Sequence, residues 1–154
     1  MPEYHHIVLA SHGTPGAQAA ERTALALLAS GARLSQLVVV PDLWKGMMGD
    51  DWLNNASTRD AFGRHVERQL EREIAEQVAR VRAQAEERGL RYESRIELGK
   101  PADCLIEFAG ELGPDLVVIG SPRPRGVRGI RSRMDLETLV RALAAPLLIA
   151  PYPR

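Results

Sequence analysis

Short apolar segments that alternate with amphipathic segments constrain the fold of this chain more than any other feature. Five segments have the pattern of buried strands: residues 7–10, 37–40, 90–98, 116–119 and 147–150. Helical patterns lie between them, at residues 17–30, 60–88, 102–112 and 135–144. Apolar strands that alternate with helices are typical of a parallel sheet covered on both faces. The sequence therefore predicts a single doubly wound α/β domain over residues 1–154.

Local signals mark several helix ends. Thr14 is a suitable N-cap and Pro15 suits the first helical position, whereas Gly31 and Gly89 are expected to end the first and second helices. The second helix has an apolar stripe with steps of three or four residues. Its members are Phe62, Val66, Leu70, Ile74, Val78, Val81 and Ala85.

Composition excludes several kinds of partner and site. The net charge is zero and 26% of the residues are charged, so no overall charge favours a membrane surface or specific nucleic acid. The single cysteine, Cys104, excludes an internal disulfide and a cysteine-cluster metal site, and its helical pattern predicts a buried, unreactive thiol. Apolar runs are much shorter than the roughly 20 residues that span a bilayer, and a signal-peptide pattern is absent. We expect a cytoplasmic protein.

Functional residues are expected at the carboxyl ends of the strands, because open parallel sheets bind ligands there. The segments that follow Ala10, Val40 and Ile119 are therefore the candidates. Residues 43–58 lack clear periodicity and contain two tryptophans, which favours a lid or a surface for a protein partner. The segment 121–133 carries five arginines: Arg123, Arg125, Arg128, Arg131 and Arg133.

Three stretches give the chain a resemblance to the universal stress protein family. Residues 98–102 (LGKPA) with 114–120 (PDLVVIG) resemble the family's most recognisable region, and residues 7–13 and 145–151 resemble its first and last strands. The resemblance covers nearly the whole chain. It implies a five-stranded parallel sheet in the order 3-2-1-4-5. It also implies a homodimer through the last strand, which contains Leu147, Leu148, Ile149 and Ala150.

The phosphate-binding motif of the ATP-binding members is altered here. Those members have an aspartate after the first strand, then later a glycine, two residues, a second glycine, nine residues, and a third glycine followed by serine or threonine. Glycines at these positions let backbone amides approach the phosphates. In this chain Gly120 fills the first position, and the aspartate position holds His12. Arg123, Arg133 and Met134 occupy the remaining three positions.

The loop arginines could replace the lost glycines as an anion site, because guanidinium groups bind phosphate or carboxylate bidentately. They could equally fill the phosphate pocket or contact a protein partner. The candidate nucleotide- or anion-binding residues are His12, Gly13, Val40, Gly120, Arg123, Arg125, Gly126, Arg128 and Arg133. In the nucleotide interpretation, the resemblance implies that the Val40 backbone binds the base. The ligand would be ATP, AMP or another anionic nucleotide.

An enzymatic alternative rests on residues 11–14 (SHGT), which resemble the His-Gly-Ser opening of small cobalt and iron chelatases. In that interpretation His12 takes part in metal insertion into a tetrapyrrole. The stretches at residues 98–102 and 114–133 instead follow the stress-protein pattern, and a lone histidine in a turn is more often structural. His5 and His6 precede the predicted first strand and form a poor metal cage. We therefore expect a non-enzymatic regulatory domain without a bound metal, whose partner surfaces are residues 43–58 or 121–133.

Overall fold

The structure is a computed structural model. A five-stranded sheet forms the centre of the protein. The structure describes residues 4–10, 15–41, 56–121 and 134–152. The strands are β1 (Tyr4–Ala10), β2 (Leu28–Pro41), β3 (Arg91–Gly99), β4 (Leu116–Gly120) and β5 (Leu147–Ala150). The helices in the described ranges are α1 (Pro15–Leu27), α2 (Ala56–Glu87), α3 (Pro101–Leu112) and α4 (Leu136–Ala142).

The strand order is β3-β2-β1-β4-β5, and each neighbouring pair is parallel. This confirms the predicted fold class and the order implied by the family resemblance. β1 therefore lies at the centre of the sheet, whereas β3 and β5 form its two edges.

Each face of the sheet has its own apolar core. Ile7 and Leu9 of β1 point to the face that is covered by α1 and α2, where Leu25 and Val81 complete the cluster. Alternate β1 residues point to the opposite face, because successive strand side chains change sides. On that second face, Val8 and Ala10 pack with α3 and α4 through Phe108, Leu105 and Leu139. Buried residues on both faces explain the nearly continuous apolar pattern of β1 and β4.

The first helix and the second strand differ from the prediction. Helix α1 ends at Leu27 rather than near Ser30, and β2 begins at Leu28 rather than at residue 37. Two polar residues, Ser35 and Gln36, interrupt the apolar pattern although both are fully buried. β2 pairs with β1 on one side and with β3 on the other, and this pairing outweighs the local pattern.

Two other elements, β1 and α2, begin earlier in the chain than predicted. His5 and His6 lie within β1 rather than before it, because β1 already pairs with β2 from Tyr4 onwards. The Asp115 carboxylate also accepts hydrogen bonds from the backbone N–H groups of both histidines, at 2.8 and 3.1 Å. Helix α2 begins at Ala56, so residues 56–58 belong to it and not to the irregular segment predicted there. At the other end of α2, Gly89 adopts a left-handed conformation with φ 69° and ends the helix as expected.

Candidate functional site

Among the described residues, strand pairing at the carboxyl edge of the sheet has a step at its centre. Pairing between β1 and β2 ends at Ala10 and Leu37, whereas pairing between β2 and β3 continues to Pro41 and Gly99. Residues 38–41 therefore extend about 13 Å beyond Ala10, the last residue described in β1, at roughly 3.3 Å per residue. Among the described residues, their backbone groups on the β1 side have no strand partner. Val40 lies in this overhang.

Strand β4 forms the other side of the step. Ile119 pairs with Ala10, and Gly120 pairs with Ala150 on β5. Ser121 continues this backbone pairing, because its N–H donates to the Ala150 carbonyl oxygen at 2.9 Å. The Ser121 hydroxyl is buried and has no hydrogen-bond partner. Gly120 and Ser121 thus lie at the same edge as Val40, on the other side of the shorter β1.

The step coincides with the point where the strand order reverses. From β1 the chain passes to α1 and then to β2 on one side, whereas from β4 it passes to α4 and then to β5 on the other side. Connections that leave in opposite directions open a crevice between the two strand ends, and doubly wound domains bind ligands there. The geometry therefore marks the space above Ala10 as the candidate ligand cleft.

Two of the nine predicted binding residues, Val40 and Gly120, fall within the described ranges, and both lie at this edge. The other seven predictions fall outside the described residues: His12, Gly13, Arg123, Arg125, Gly126, Arg128 and Arg133. Most of the predicted partner segments 43–58 and 121–133 also lie outside the described ranges, with Ser121 and the start of α2 as the exceptions.

Asp135 is a residue of this region that the sequence interpretation placed incorrectly. It is the N-cap of α4 rather than a helical residue, and its carboxylate accepts a hydrogen bond from the Thr138 backbone N–H at 3.1 Å. That backbone hydrogen bond lowers the pKa of Asp135, so the carboxyl group is ionised at neutral pH. An aspartate directly before the apolar residue Leu136 is an N-cap signal that the sequence already contains.

The Asp135 N-cap makes the start of α4 less suitable for binding an anion. A helix N-terminus attracts anions through its unpaired N–H groups, but here a carboxylate already binds one of them. The fixed charge of Asp135 repels phosphate. Met134, at the position of the family's hydroxyl residue, instead packs against the core below α3 and α4. Any phosphate in this cleft would therefore need other positive groups, such as the loop arginines.

A second polar cluster lies near the amino-terminal end of the sheet. The Ser35 hydroxyl donates to Glu93 Oε1 at 2.6 Å, and His6 Nε2 lies 2.8 Å from Ser35 Oγ. Since the hydroxyl hydrogen goes to Glu93, Nε2 of His6 must carry the proton and donate to Ser35. Arg33 pairs with the same Glu93 oxygen. Burial lowers the pKa of His6, and the positive charge of Arg33 adds to this shift.

This cluster holds its members in hydrogen bonds rather than presenting them to a metal ion. Ser35 is fully buried, so its hydroxyl is inaccessible as a nucleophile. Within the described ranges, no group of three or more histidine, cysteine or carboxylate side chains could hold a metal. Cys104 is partly buried rather than fully buried as predicted. Burial raises the pKa of its thiol, and nearby Glu97 raises it further.

The predicted dimer residues lie on the edge strand β5. Leu147 and Leu148 each pack partly against one of the two cores, and Ala150 is fully buried within the chain. Ile149 is the exposed member of the four, with 41% of its surface accessible. A partner at this edge would therefore meet the backbone of β5 and the side chain of Ile149.

Sequence comparison identifies relatives over most of the chain. The family model described as the universal stress protein family matches residues 3–151. A universal stress protein from Methanocaldococcus jannaschii is 28% identical over 85 residues. That alignment covers 55% of this chain and 50% of the archaeal protein, so it spans about half of the curated relative.

Solved structures share the fold at low sequence identity. A hypothetical protein whose biochemical function was assigned from its structure superposes with a TM-score of 0.76, at 16% identity over 98% of both chains. An Arabidopsis thaliana universal stress family protein with AMP bound has a TM-score of 0.61 at 15% identity, covering 96% of this chain and 92% of that one. A universal stress protein in complex with cAMP has a TM-score of 0.58 at 20% identity, covering 97% and 98%.

The strand order and the step at its switch point define a doubly wound α/β domain with a candidate ligand cleft. The chain belongs to the universal stress protein family, because the family model matches almost its whole length. The resemblance predicted from residues 98–102 and 114–120 is therefore confirmed. None of the helices described is both long and apolar enough to cross a membrane.

Proposed function

We propose that this protein is a regulatory domain that binds a small anionic ligand, with an adenine nucleotide as the first candidate, in the cleft above Ala10. The step between β2 and β4 is the observation that carries the proposal. Val40 lies on one side of this step, and Gly120 and Ser121 lie on the other. Two structural relatives hold AMP or cAMP, which makes these ligands natural probes.

The mode of phosphate binding differs in this proposal from that of the ATP-binding family members. Met134 offers no hydroxyl, and the Asp135 carboxylate occupies the start of α4. The positive charge that binds the phosphate then comes from the arginines between positions 123 and 133. In the alternative in which the domain binds another protein, the same arginines would contact that protein.

Binding rather than catalysis is supported by the polar groups at the described part of the edge. The Ser121 hydroxyl has no hydrogen-bonded base, and the Asp135 carboxylate caps a helix. A nucleophile needs an adjacent base or a lowered pKa to react. We therefore assign the domain a regulatory role, and its cytoplasmic location remains a prediction.

Calorimetry on nucleotide-stripped protein tests the ligand. We expect binding heat with at least one of AMP, ATP, cAMP and cyclic dinucleotides. The double variant Arg123→Ser/Arg125→Ser should weaken that binding about tenfold or more, because it removes charge-assisted hydrogen bonds. Arg22→Ser/Arg91→Ser is the matched control, since it removes the same charge from exposed positions on α1 and β3.

Heat no larger than that of buffer for every ligand would remove the nucleotide proposal. Equal affinities for wild type and the Arg123→Ser/Arg125→Ser variant would instead show that those arginines do not bind the ligand. A pull-down could instead recover a protein partner that no longer binds when all five loop arginines are replaced by serine. That result would favour the alternative in which the loop binds another protein.

We also propose that the domain forms a homodimer through β5. Its outer edge has no strand partner among the described residues, and Ile149 is exposed there. An unpaired strand edge is a template for another strand, and a two-fold axis beside β5 would pair two copies antiparallel.

A further inference from the structure

The outer edge of β3 is a long strand edge that no other strand covers among the described residues. β3 is the last strand on its side of the sheet, and it pairs with β2 in unbroken register from Arg91 to Gly99. An open edge of this kind is a template for a further strand, and many proteins protect it with a bulge, a proline or a very short strand. β3 has none of these three devices.

Charged side chains do occur on β3, but their signs alternate along one face of the strand. The four residues are Arg91, Glu93, Arg95 and Glu97. They point to the face that α3 covers, because the Arg95 guanidinium lies 4.7 Å from the centre of the Phe108 ring of that helix. The opposite face of the strand carries Tyr92, Ser94 and Ile96, and Ile96 is 55% exposed.

Two copies of this edge are complementary to each other when they pair antiparallel. With a two-fold axis through Ser94, each residue faces the one that lies equally far on the other side of Ser94 in the second copy. Arg91 of one copy then faces Glu97 of the other, and each such pair occurs twice. Opposite charges at facing positions stabilise an antiparallel strand pair.

The remaining positions agree with the same register. Glu93 of one copy faces Arg95 of the other, so the inner charged positions also meet the opposite sign. On the other face of the sheet Tyr92 meets Ile96, and a pair of an aromatic and a β-branched residue is favourable at facing positions. The exposed Ile96 side chain therefore gains an apolar neighbour.

Other registers lose this complementarity. An axis at Glu93 places two glutamates opposite each other and Arg91 opposite Arg95, and an axis at Arg95 brings two arginines together. Like charges at facing positions destabilise a strand pair. An axis at Ile96 leaves Glu93 opposite Gly99. Of the axes through a residue of β3, only Ser94 gives all four charged positions a partner of opposite sign.

The inner charges of β3 are also bonded within each copy. Glu93 pairs with Arg33 and Arg95 pairs with Glu111, while 41% and 40% of the Glu93 and Arg95 side chains remain accessible. A carboxylate and a guanidinium can each bind more than one partner. The new pairs therefore add to charges that are already partly neutralised, and salt screens them. Pairing through β3 should need more concentrated protein than pairing through β5.

We infer that β3 is a self-association surface, on which a second copy of this chain pairs antiparallel with the two-fold axis at Ser94. The inference is independent of the ligand cleft, and it concerns the edge opposite to that of the proposed β5 dimer. A copy that is paired at both edges extends the sheet from one dimer into the next. In dilute protein the β3 edge stays open.

A disulfide at the two-fold axis tests the register. Facing residues of an antiparallel pair have Cα atoms about 4.5–5.5 Å apart, which a disulfide can span. We expect Ser94→Cys, combined with Cys104→Ala to remove the native thiol, to form a covalent dimer in concentrated protein with oxidised glutathione. Ser30→Cys/Cys104→Ala, which has its cysteine at an exposed position of β2, should form much less.

Charge reversal tests the pairing of signs. Arg91→Glu and Glu97→Arg each place like charges at facing positions, so each should raise the Kd of β3 association about tenfold at low ionic strength. The double variant Arg91→Glu/Glu97→Arg exchanges the two signs and should restore the wild-type Kd. An equimolar mixture of the two single variants should also associate, because a copy of each kind meets opposite charges.

Sedimentation velocity measures this association as the step that Ile96→Lys abolishes. Arg72→Glu and Glu76→Arg are the controls, because they make the same charge changes at exposed positions of α2. Each should associate like wild type, and a mixture of the two should behave like either alone.

A yield of the Ser94 disulfide no greater than that of the Ser30 control would overturn the inference. Equal Kd values for wild type and both single charge variants would also overturn it, as would a double variant that stays as weak as the single ones. Capture of a different protein by the cysteine at position 94 would assign the edge to another partner and likewise contradict it.

Discussion

His6, Ser35 and Glu93 form a chain of hydrogen bonds across β1, β2 and β3. The pKa values of His6, Glu93 and nearby Asp115 are all lowered. Burial lowers the pKa of His6, the hydrogen bond from Ser35 lowers that of Glu93, and the backbone N–H of His5 lowers that of Asp115. Arg33, on β2, is the positive group that faces His6 and Glu93.

These shifts give stability a definite dependence on pH. Below about pH 6.5 the unfolded chain takes up a proton at its histidines before folded His6 does, so the free energy of unfolding falls as the pH decreases. Glu93 and Asp115 act with the same sign at lower pH, because they are protonated more readily in the unfolded chain. We expect the denaturation midpoint to decrease from pH 7 to pH 5, and to decrease further towards pH 3.

His6→Gln tests the upper part of this range, because an amide can still donate to Ser35. In the His6→Gln variant, the denaturation midpoint should change much less between pH 7 and pH 5 than in wild type. Its decrease below pH 5 should remain. His5→Gln is the control, since His5 is exposed on the same strand, and it should keep the wild-type profile. Identical profiles for wild type and His6→Gln would contradict the assignment.

Helices α1 and α2 are joined by a buried carboxylate. Glu21 of α1 is 3% exposed, and its oxygens accept from Arg80 of α2 at 3.1 and 3.2 Å and from Gln77 at 3.3 Å. Arg88 adds a second link, because its guanidinium donates to the Leu25 carbonyl near the end of α1 at 3.1 Å. These contacts fix the two helices against each other on one face of the sheet.

Arg80→Ala should destabilise the protein more than Glu21→Gln. Removal of the arginine leaves a charged carboxylate in a buried place, whereas glutamine keeps the shape without the charge. Since the Arg80 side chain is 40% exposed, we discount the full buried-pair effect and expect a loss of about 1–3 kcal/mol in the free energy of unfolding for Arg80→Ala.

Urea denaturation measures both losses. Arg72→Ala, at an exposed position of the same helix, should change the free energy of unfolding by less than about 0.5 kcal/mol. A loss for Arg80→Ala no larger than that of Arg72→Ala would show that the link between α1 and α2 contributes nothing to stability.

The two edges of the sheet allow a matched test of the proposed dimer. Ile149 on β5 and Ile96 on β3 are both exposed isoleucines, at 41% and 55%. If β5 forms the interface, Ile149→Lys places a charge at its centre and should convert dimer to monomer, because edge charges oppose strand pairing. Ile96→Lys makes the same change at the other edge and should leave the dimer intact.

Sedimentation velocity over a range of concentrations distinguishes these outcomes. Wild-type protein that stays monomeric throughout would contradict the proposed dimer. Dissociation by Ile96→Lys but not by Ile149→Lys would move the interface to β3.

Sequence alone determined the fold class, because apolar strands separated by amphipathic helices can bury their surface only as a covered parallel sheet. It located β5 at residues 147–150 and the helix end at Gly89, where local conformation decides. It also placed Gly120 and Val40 at one edge, because all strands of a parallel sheet end on the same side. The family resemblance supplied the strand order that the structure confirmed.

Tertiary structure decided what depends on neighbours distant in the sequence. The start of β2 could not be predicted, because the buried polar side chains of this strand find their partners on other strands. Ser35 is hydrogen-bonded to His6 and Glu93, and the side-chain oxygen of Gln36 accepts from the Tyr92 hydroxyl. The register that pairs Ala10 with Leu37, four positions before the described end of β2, also follows only from the folded sheet. The burial of the Ser121 hydroxyl likewise appears only in the folded structure. The alternating pattern thus fixed which surfaces are buried, and the registers between strands fixed where the candidate cleft opens.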